Sequence, residues 1–327
     1  MKNNKTKPEH ASYNFALAKI GAILMVFTGH YFGGVLWVPA TVALFVMAFS
    51  SGFFTTFKYS GDFDYARFWR AKIERMGYRL LAVDIFLLAL FLWQGKSGIW
   101  TWQTLLALPG LNGFFNWFSV PNLSPFGNGL WFLTVLWIFY LVYPGLEWIN
   151  RKRPLAIIFI VAAMVVSMGL YHLNRLDHML WMTIFAFLFG VFSARHRLRV
   201  RPIWALLVMI VCAGLLAEHN LWAHLNYLDY HLANYTLILI GSVATVYLLM
   251  EIRLPHAWFD RLLPWSSCVL EFYVIHFYLL TLFKGLPPLA GYILTMLVTI
   301  MLAWLLHKIQ ARVRGIGQKQ IVPLHQI

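Results

Sequence analysis

The feature that most constrains this chain is a recurrence: apolar runs long enough to cross a bilayer, separated by basic or Gly/Pro-rich punctuation. Crossing about 30 Å of hydrocarbon takes roughly 20 helical residues. Ten such runs are expected: Phe15–Gly34, Trp37–Phe57, Arg79–Gln94, Leu130–Ile149, Pro154–Tyr171, Met179–Ala194, Ile203–Leu216, Tyr235–Met250, Pro264–Phe283 and Pro288–His307. Lipid offers no partners for backbone N–H and C=O groups, so such runs must be helices. Charged residues make up only 12% of the chain, about half the usual share of a soluble domain. Aromatics reach 17%, as suits many helix ends at headgroup level. The fold class is therefore an all-α integral membrane protein, a bundle of about ten transmembrane helices. A tail over 1–14 and a basic tail over 308–327 flank a membrane domain over 15–307.

The basic residues orient the bundle. With both termini placed in the cytoplasm, the inner segments collect 22 of the 26 Lys and Arg residues. The outer segments hold only Lys96, Arg175 and Lys284, and Lys19 lies within the first run. Losing or gaining one mid-chain helix would destroy this bias, so an even number of spans follows. The same rule accounts for the net charge of +14, because no soluble stretch is long enough to offer nucleic acid a basic face. The start, Met1 to Lys7, is basic, but the apolar run after it carries Lys19 and lacks a small-residue cleavage site. It reads as a first span rather than a signal peptide.

Ionisable groups inside spans are costly and mark candidate sites. Lys19 and His30 stand eleven residues apart. At 100° per residue this leaves them about 20° apart around the helix and roughly 16 Å apart along it. A cation near the inner leaflet and an imidazole in the outer half thus share a face. His30 can accept a hydroxyl proton and return it, or serve as a neutral hydrogen-bonded link between helices. Lys19 can contact a ligand or extend to the interface. Glu271 and His276 sit in the ninth run about 140° apart, so each is expected to meet a different neighbour rather than form a dyad.

Lys72, Arg75 and Arg79 fall on one helical face, at i, i+3 and i+7. Such a stripe suits the phosphates of a nucleotide-like donor or, equally, anionic lipid. Ser51-Gly52 in the second run permits close helix approach. Cys212 and Cys268 read as small packing residues. His219, His224 and His231 lack a metal-ligand spacing, so no metal is expected. The outer stretch Gly95 to Gly129 is rich in Trp, Phe, Asn, Pro and Gly. Its Trp100, Trp102, Phe114, Phe115 and Trp117 suit either sugar stacking or interfacial anchoring.

Taken in order, these residues resemble the acyltransferase-3 family of membrane O-acyltransferases. Lys19…His30 resembles its R-X10-H signature, with Lys in place of Arg. Phe49 to Phe54 resembles the SGF end of the second span, and Phe68 to Arg79 the basic entry to the third. Leu130-Trp131-Phe132-Leu133 with Phe139-Tyr140 to Pro144 resembles the family's fourth helix, and Ser267 to His276 its late S-x-x-x-Y-x-x-H helix. Leu136 stands where many relatives carry Glu.

The resemblance implies transfer of an acyl group, commonly acetyl, from cytoplasmic acyl-CoA to a hydroxyl of a surface or lipid-linked glycan, in a bacterial inner membrane. His30 would be general base or transient acyl carrier, and Lys19, Lys72, Arg75 and Arg79 would meet the CoA. Ser51, Trp131, Tyr140, Glu271 and His276 are further candidates. The rival class is a transporter or flippase for a polysaccharide or lipid-linked sugar, which uses intramembrane His, Glu and Lys as readily. Matched inverted halves and paired broken helices, common in transporters, are missing from the pattern.

Overall fold

A computed structural model describes residues 9–59, 63–174, 178–196, 200–221 and 232–313. His224 and His231 lie outside these residues, as does the tail beyond Val313. All regular structure among the described residues is helical: α1 Glu9–Phe32, α2 Trp37–Tyr59, α3 Tyr65–Trp93, α4 Trp102–Ala107, α5 Gly113–Trp117, α6 Trp131–Asn150, α7 Arg153–Asn174, α8 His178–Arg195, α9 Pro202–Leu221, α10 Leu232–Glu251, α11 His256–Phe259, α12 Val269–Leu279 and α13 Pro288–Val313. Short 3-10 turns occupy Gly34–Leu36 and Leu263–Cys268.

Eight of these helices are long and apolar enough to cross a membrane, and α8 adds a shorter apolar one. The bands they expose confirm the solvent. Ile157, Ile158, Val161, Val165 and Val166 of α7 stand open, as do Ile203, Leu207, Val208, Ile210 and Val211 of α9. Water would not tolerate such stripes on a stable surface.

The ninth expected run departs from a plain span. Its first part, Leu263–Cys268, is 3-10 helix, and α12 continues for only 11 residues before a turn. Pro264 lacks an N–H, and Ser266 returns its hydroxyl to the Leu263 carbonyl at 2.7 Å. The third run likewise belongs to a longer element. Asp64 caps the start of α3 by accepting from the Arg67 N–H at 3.0 Å, so the basic stretch is helical before the span begins.

The chain divides into two compact units. One is drawn from Met1–Lys58 and Asn150–Ser266, the other from Tyr59–Ile149 and Ser267–Lys319. In the first, α1 packs on α10, α9 on α10, and α7 on α8. The last carbonyls of α10 have no partner in their own helix. Asn14 of α1, 1% exposed, donates to Leu249 and Ile252 at 2.9 and 2.7 Å, and the His10 ring bonds Met250 at 3.0 Å.

Glycine sets the spacing of α2 and α8 in this unit. A Cβ on Gly52 would lie 2.3 Å from the Phe187 carbonyl oxygen, and one on Gly190 would lie 2.3 Å from that of Phe49. Each helix thus presses its backbone into the notch of the other, which only paired glycines allow. The turn from α1 to α2 also needs glycine: Gly33 and Gly34 both adopt positive φ, 67° and 58°.

In the second unit α12 packs on α3 and α13, and α13 on α3. Phe68 and Trp69 of α3 stack on Tyr143 and Trp137 of α6 at 5.5 and 6.1 Å between ring centroids. The outer connection between α3 and α6 is knitted internally. Thr104 bonds Ser124 at 2.7 Å, Asn112 and Asn122 both donate to the Gly127 carbonyl, and Thr134 of α6 donates to the Gly110 carbonyl at 2.7 Å.

Gly52→Ala is expected to lower stability by about 1–3 kcal/mol through overpacking. Gly21→Ala, where a Cβ meets nothing within 4 Å, serves as the neutral control. The check is the thermal midpoint of the detergent-solubilised protein. Equal midpoints for Gly52→Ala and wild type would refute the close contact.

Candidate functional site

Lys19 and His30 both lie on the unbroken α1, so the shared face expected from their spacing is the one this helix builds. Lys19 is half-buried, its Nζ 5.9 Å from the centre of the Phe54 ring on α2. His30 is half-buried near the end of α1, its ring edge-on to Trp37 with centroids 4.8 Å apart. Gly29 makes that meeting possible, since a Cβ there would come within 3.0 Å of the Ala40 Cβ and 3.3 Å of the Trp37 ring. Perpendicular packing against the indole fixes the orientation of the imidazole. Ser51 stands beside the Gly52 notch on α2.

The remaining candidates belong to the second unit, and it treats the three cations of α3 differently. Lys72 is 8% exposed. Its Nζ stands 3.9 Å from the centre of the Tyr140 ring, 5.2 Å from that of Phe68 and 5.8 Å from that of Tyr59. This aromatic cage holds the ammonium by its π faces, each worth about 0.5–2 kcal/mol according to desolvation. Two expected site residues, Lys72 and Tyr140, are thereby brought together. Arg75 is exposed.

Arg79 is engaged with α12. Its Nε donates to Glu271 Oε1 at 2.8 Å and its Nη2 to Glu271 Oε2 and to the carbonyl of Ser267. The fork thus serves a buried carboxylate and a carbonyl of the 3-10 turn at once. Glu271 is fully buried, and it accepts one more bond, from His307 Nδ1 of α13 at 3.3 Å. The result is a chain Arg79–Glu271–His307 linking three helices.

His276 sits elsewhere on α12. It is 1% exposed, its Nδ1–H donates to the Tyr273 carbonyl, and its ring lies nearly parallel to Phe272. Glu271 and His276 therefore meet different surroundings, as their 140° separation on a helix requires. Trp131, at the start of α6, is 8% exposed and packs beside the outer connection, where a Cβ on Gly113 would touch its Cα at 3.0 Å. Of the outer aromatics, Phe115 is buried against Trp102, whereas Trp100 is 88% exposed.

Three polar groups of this unit went unread in the sequence. In the sequence His307 marks the end of the tenth apolar run. Asp84, 5% exposed in α3, and Glu147, 1% exposed in α6, are carboxyl groups inside expected spans. Their charge alone was a sufficient signal for the two acids. His307 carried no comparable signal, because its partner lies 36 residues away.

A helical bundle with lipid-facing stripes and ionisable groups on its internal faces is an integral membrane protein with a polar interior. The acyltransferase-3 family model, described as an acyltransferase domain, matches residues 12–308, nearly the whole chain. The chain belongs to that family, and membership makes it a multi-pass membrane acyltransferase. No curated protein and no solved structure matches it.

Removing one partner of a buried ion pair strands the other charge, at a cost of about 3–5 kcal/mol. Arg79→Ala and Glu271→Ala should each lower the thermal midpoint sharply, and the double substitution should cost less than their sum. Additive losses in that cycle would mean that the two side chains do not depend on each other.

Proposed function

We propose that this protein transfers an acyl group, acetyl in the simplest case, from cytoplasmic acyl-CoA to a hydroxyl of a surface or lipid-linked glycan. The observation that carries this reading is the family match over residues 12–308, which includes Lys19 and His30. His30 acts as general base. Its imidazole takes the proton of the acceptor hydroxyl as the oxygen attacks the thioester carbonyl; the C–O bond forms, the C–S bond breaks and CoA leaves as thiolate. General-base assistance of this kind contributes typically 10²–10⁴-fold.

The donor's phosphates call for cations on the inner side. Among Lys19, Lys72, Arg75 and Arg79, the exposed guanidinium of Arg75 is best placed to meet a phosphate directly. Lys72 in its cage adds positive potential, while Arg79, neutralised by Glu271, holds α3 in place. The acceptor is a saccharide by family resemblance, and the exposed Trp100 supplies a face of the kind that stacks on sugars. A bacterial inner membrane as the setting follows from the family resemblance, and the charge bias of the loops fits cytoplasmic termini.

The test compares surface-glycan mass spectra from cells carrying wild type, a deletion and His30→Ala. Wild type should add an acyl mass that the deletion and His30→Ala both lack, with His30→Ala present in the membrane at normal level. Full modification by His30→Ala would remove the histidine from the reaction. A deletion indistinguishable from wild type would remove the glycan.

A further inference from the structure

The Arg79–Glu271–His307 chain does more than hold helices together. Glu271 is fully buried and ion-paired, so its oxygens are acceptors; a ring nitrogen that bonds to one of them must carry the proton. His307 Nδ1 is therefore the donor, at 3.3 Å, which in the neutral ring leaves Nε2 with the free lone pair. The ring is 26% exposed. A part-exposed imidazole with one nitrogen anchored on a buried carboxylate has the arrangement of an oriented proton-transfer group. Arg79 fixes the anchor in turn, through two bonds to the same carboxylate.

The surroundings say which proton. His307 is followed by Lys308 and Arg312 on α13, both exposed. Gln310 of the same helix donates to the Tyr78 carbonyl at 3.0 Å, which sets this stretch beside the part of α3 that carries Arg75 and Arg79. These residues belong to the segments that the charge bias assigns to the inner side, where a polyanionic donor arrives. Glu271 of α12 bonds the ring, Arg79 of α3 shares that carboxylate, and Lys308 is the next residue along α13. Of these side chains, the imidazole is the type most often used for proton transfer.

We propose that His307 is a catalytic residue on the donor side of the reaction. In the protonated ring Nε2 carries a second proton, which passes to the sulfur of the departing thiolate, with Glu271 and Arg79 as positioning residues. The inference rests on the acyl-CoA reading above. As the acyl C–S bond breaks, the electron pair stays on sulfur and the proton of Nε2 joins it, so CoA leaves as thiol. The neutral ring then regains a proton from water; the acceptor hydroxyl gives up its own proton separately, to its general base.

The experiment uses inside-out membrane vesicles from the source cells carrying the full chain, with labelled acetyl-CoA and succinyl-CoA as probes. Label incorporation and thiol release are both followed. His307→Gln keeps a donor for Glu271 and so preserves the fold, but it cannot transfer a proton. Its kcat should fall at least about 100-fold with KM for the acyl-CoA within about 2-fold and an unchanged thermal midpoint. Glu271→Gln should lose less, about 10-fold in kcat, because the imidazole remains but is less firmly oriented. Wild-type kcat in His307→Gln overturns the proposal, as does a raised KM with kcat intact, which would make His307 a binding residue. Absence of incorporation from either probe by wild type overturns the acyl-CoA reading itself, and this inference with it.

Discussion

Hydrocarbon cannot hydrogen-bond, and every part of this protein answers to that fact. The backbone satisfies it by winding into helices. The exceptions are the places where side chains intervene. Asn14 and His10 take up the last carbonyls of α10, and Arg79 takes the Ser267 carbonyl where the chain is 3-10 rather than α. Side chains obey the same rule. A lysine can lie 8% exposed within an apolar bundle because three aromatic rings face its ammonium. A glutamate can be fully buried because a guanidinium and an imidazole converge on it.

That rule explains the division of labour among polar residues. Arg79 was expected beside phosphates, yet its fork is occupied by Glu271, whereas Arg75, one turn earlier, remains exposed. The difference follows depth along α3: Arg75 lies where the basic inner stretch is still near water, and Arg79 lies against α12. Three cations on one stripe therefore experience three environments: a cage, the exterior and an ion pair.

Much of this was legible from the sequence, because hydropathy and charge are properties of local segments. The helices, their lipid-facing stripes and the shared face of Lys19 and His30 all follow from 3.6 residues per turn. Gly52 was legible as a packing residue, though its counterpart, Gly190, was not. What stayed hidden depends on which helices meet. Arg79 and Glu271 are 192 residues apart, and Glu271 and His307 are 36 apart. Nothing in their spacing links them. The break in the ninth run was visible in Pro264, yet a long apolar stretch outweighed it.

The outer connection of the second unit has a mechanical corollary. Tyr273 and Tyr278 of α12 donate to the carbonyls of Gly129 and Phe126, while Thr134 and Trp137 of α6 donate to those of Gly110 and Pro109. Two helices are thus laced to one knitted segment by four bonds at a single end. Two residues before Tyr273, α12 is tied to α3 by the salt bridge of Glu271, which yields to a change of charge in a way that tyrosine hydroxyls do not. Loss of charge on that carboxylate would therefore release the ionic tie while the tyrosine bonds, two and seven residues further on, still held the helix.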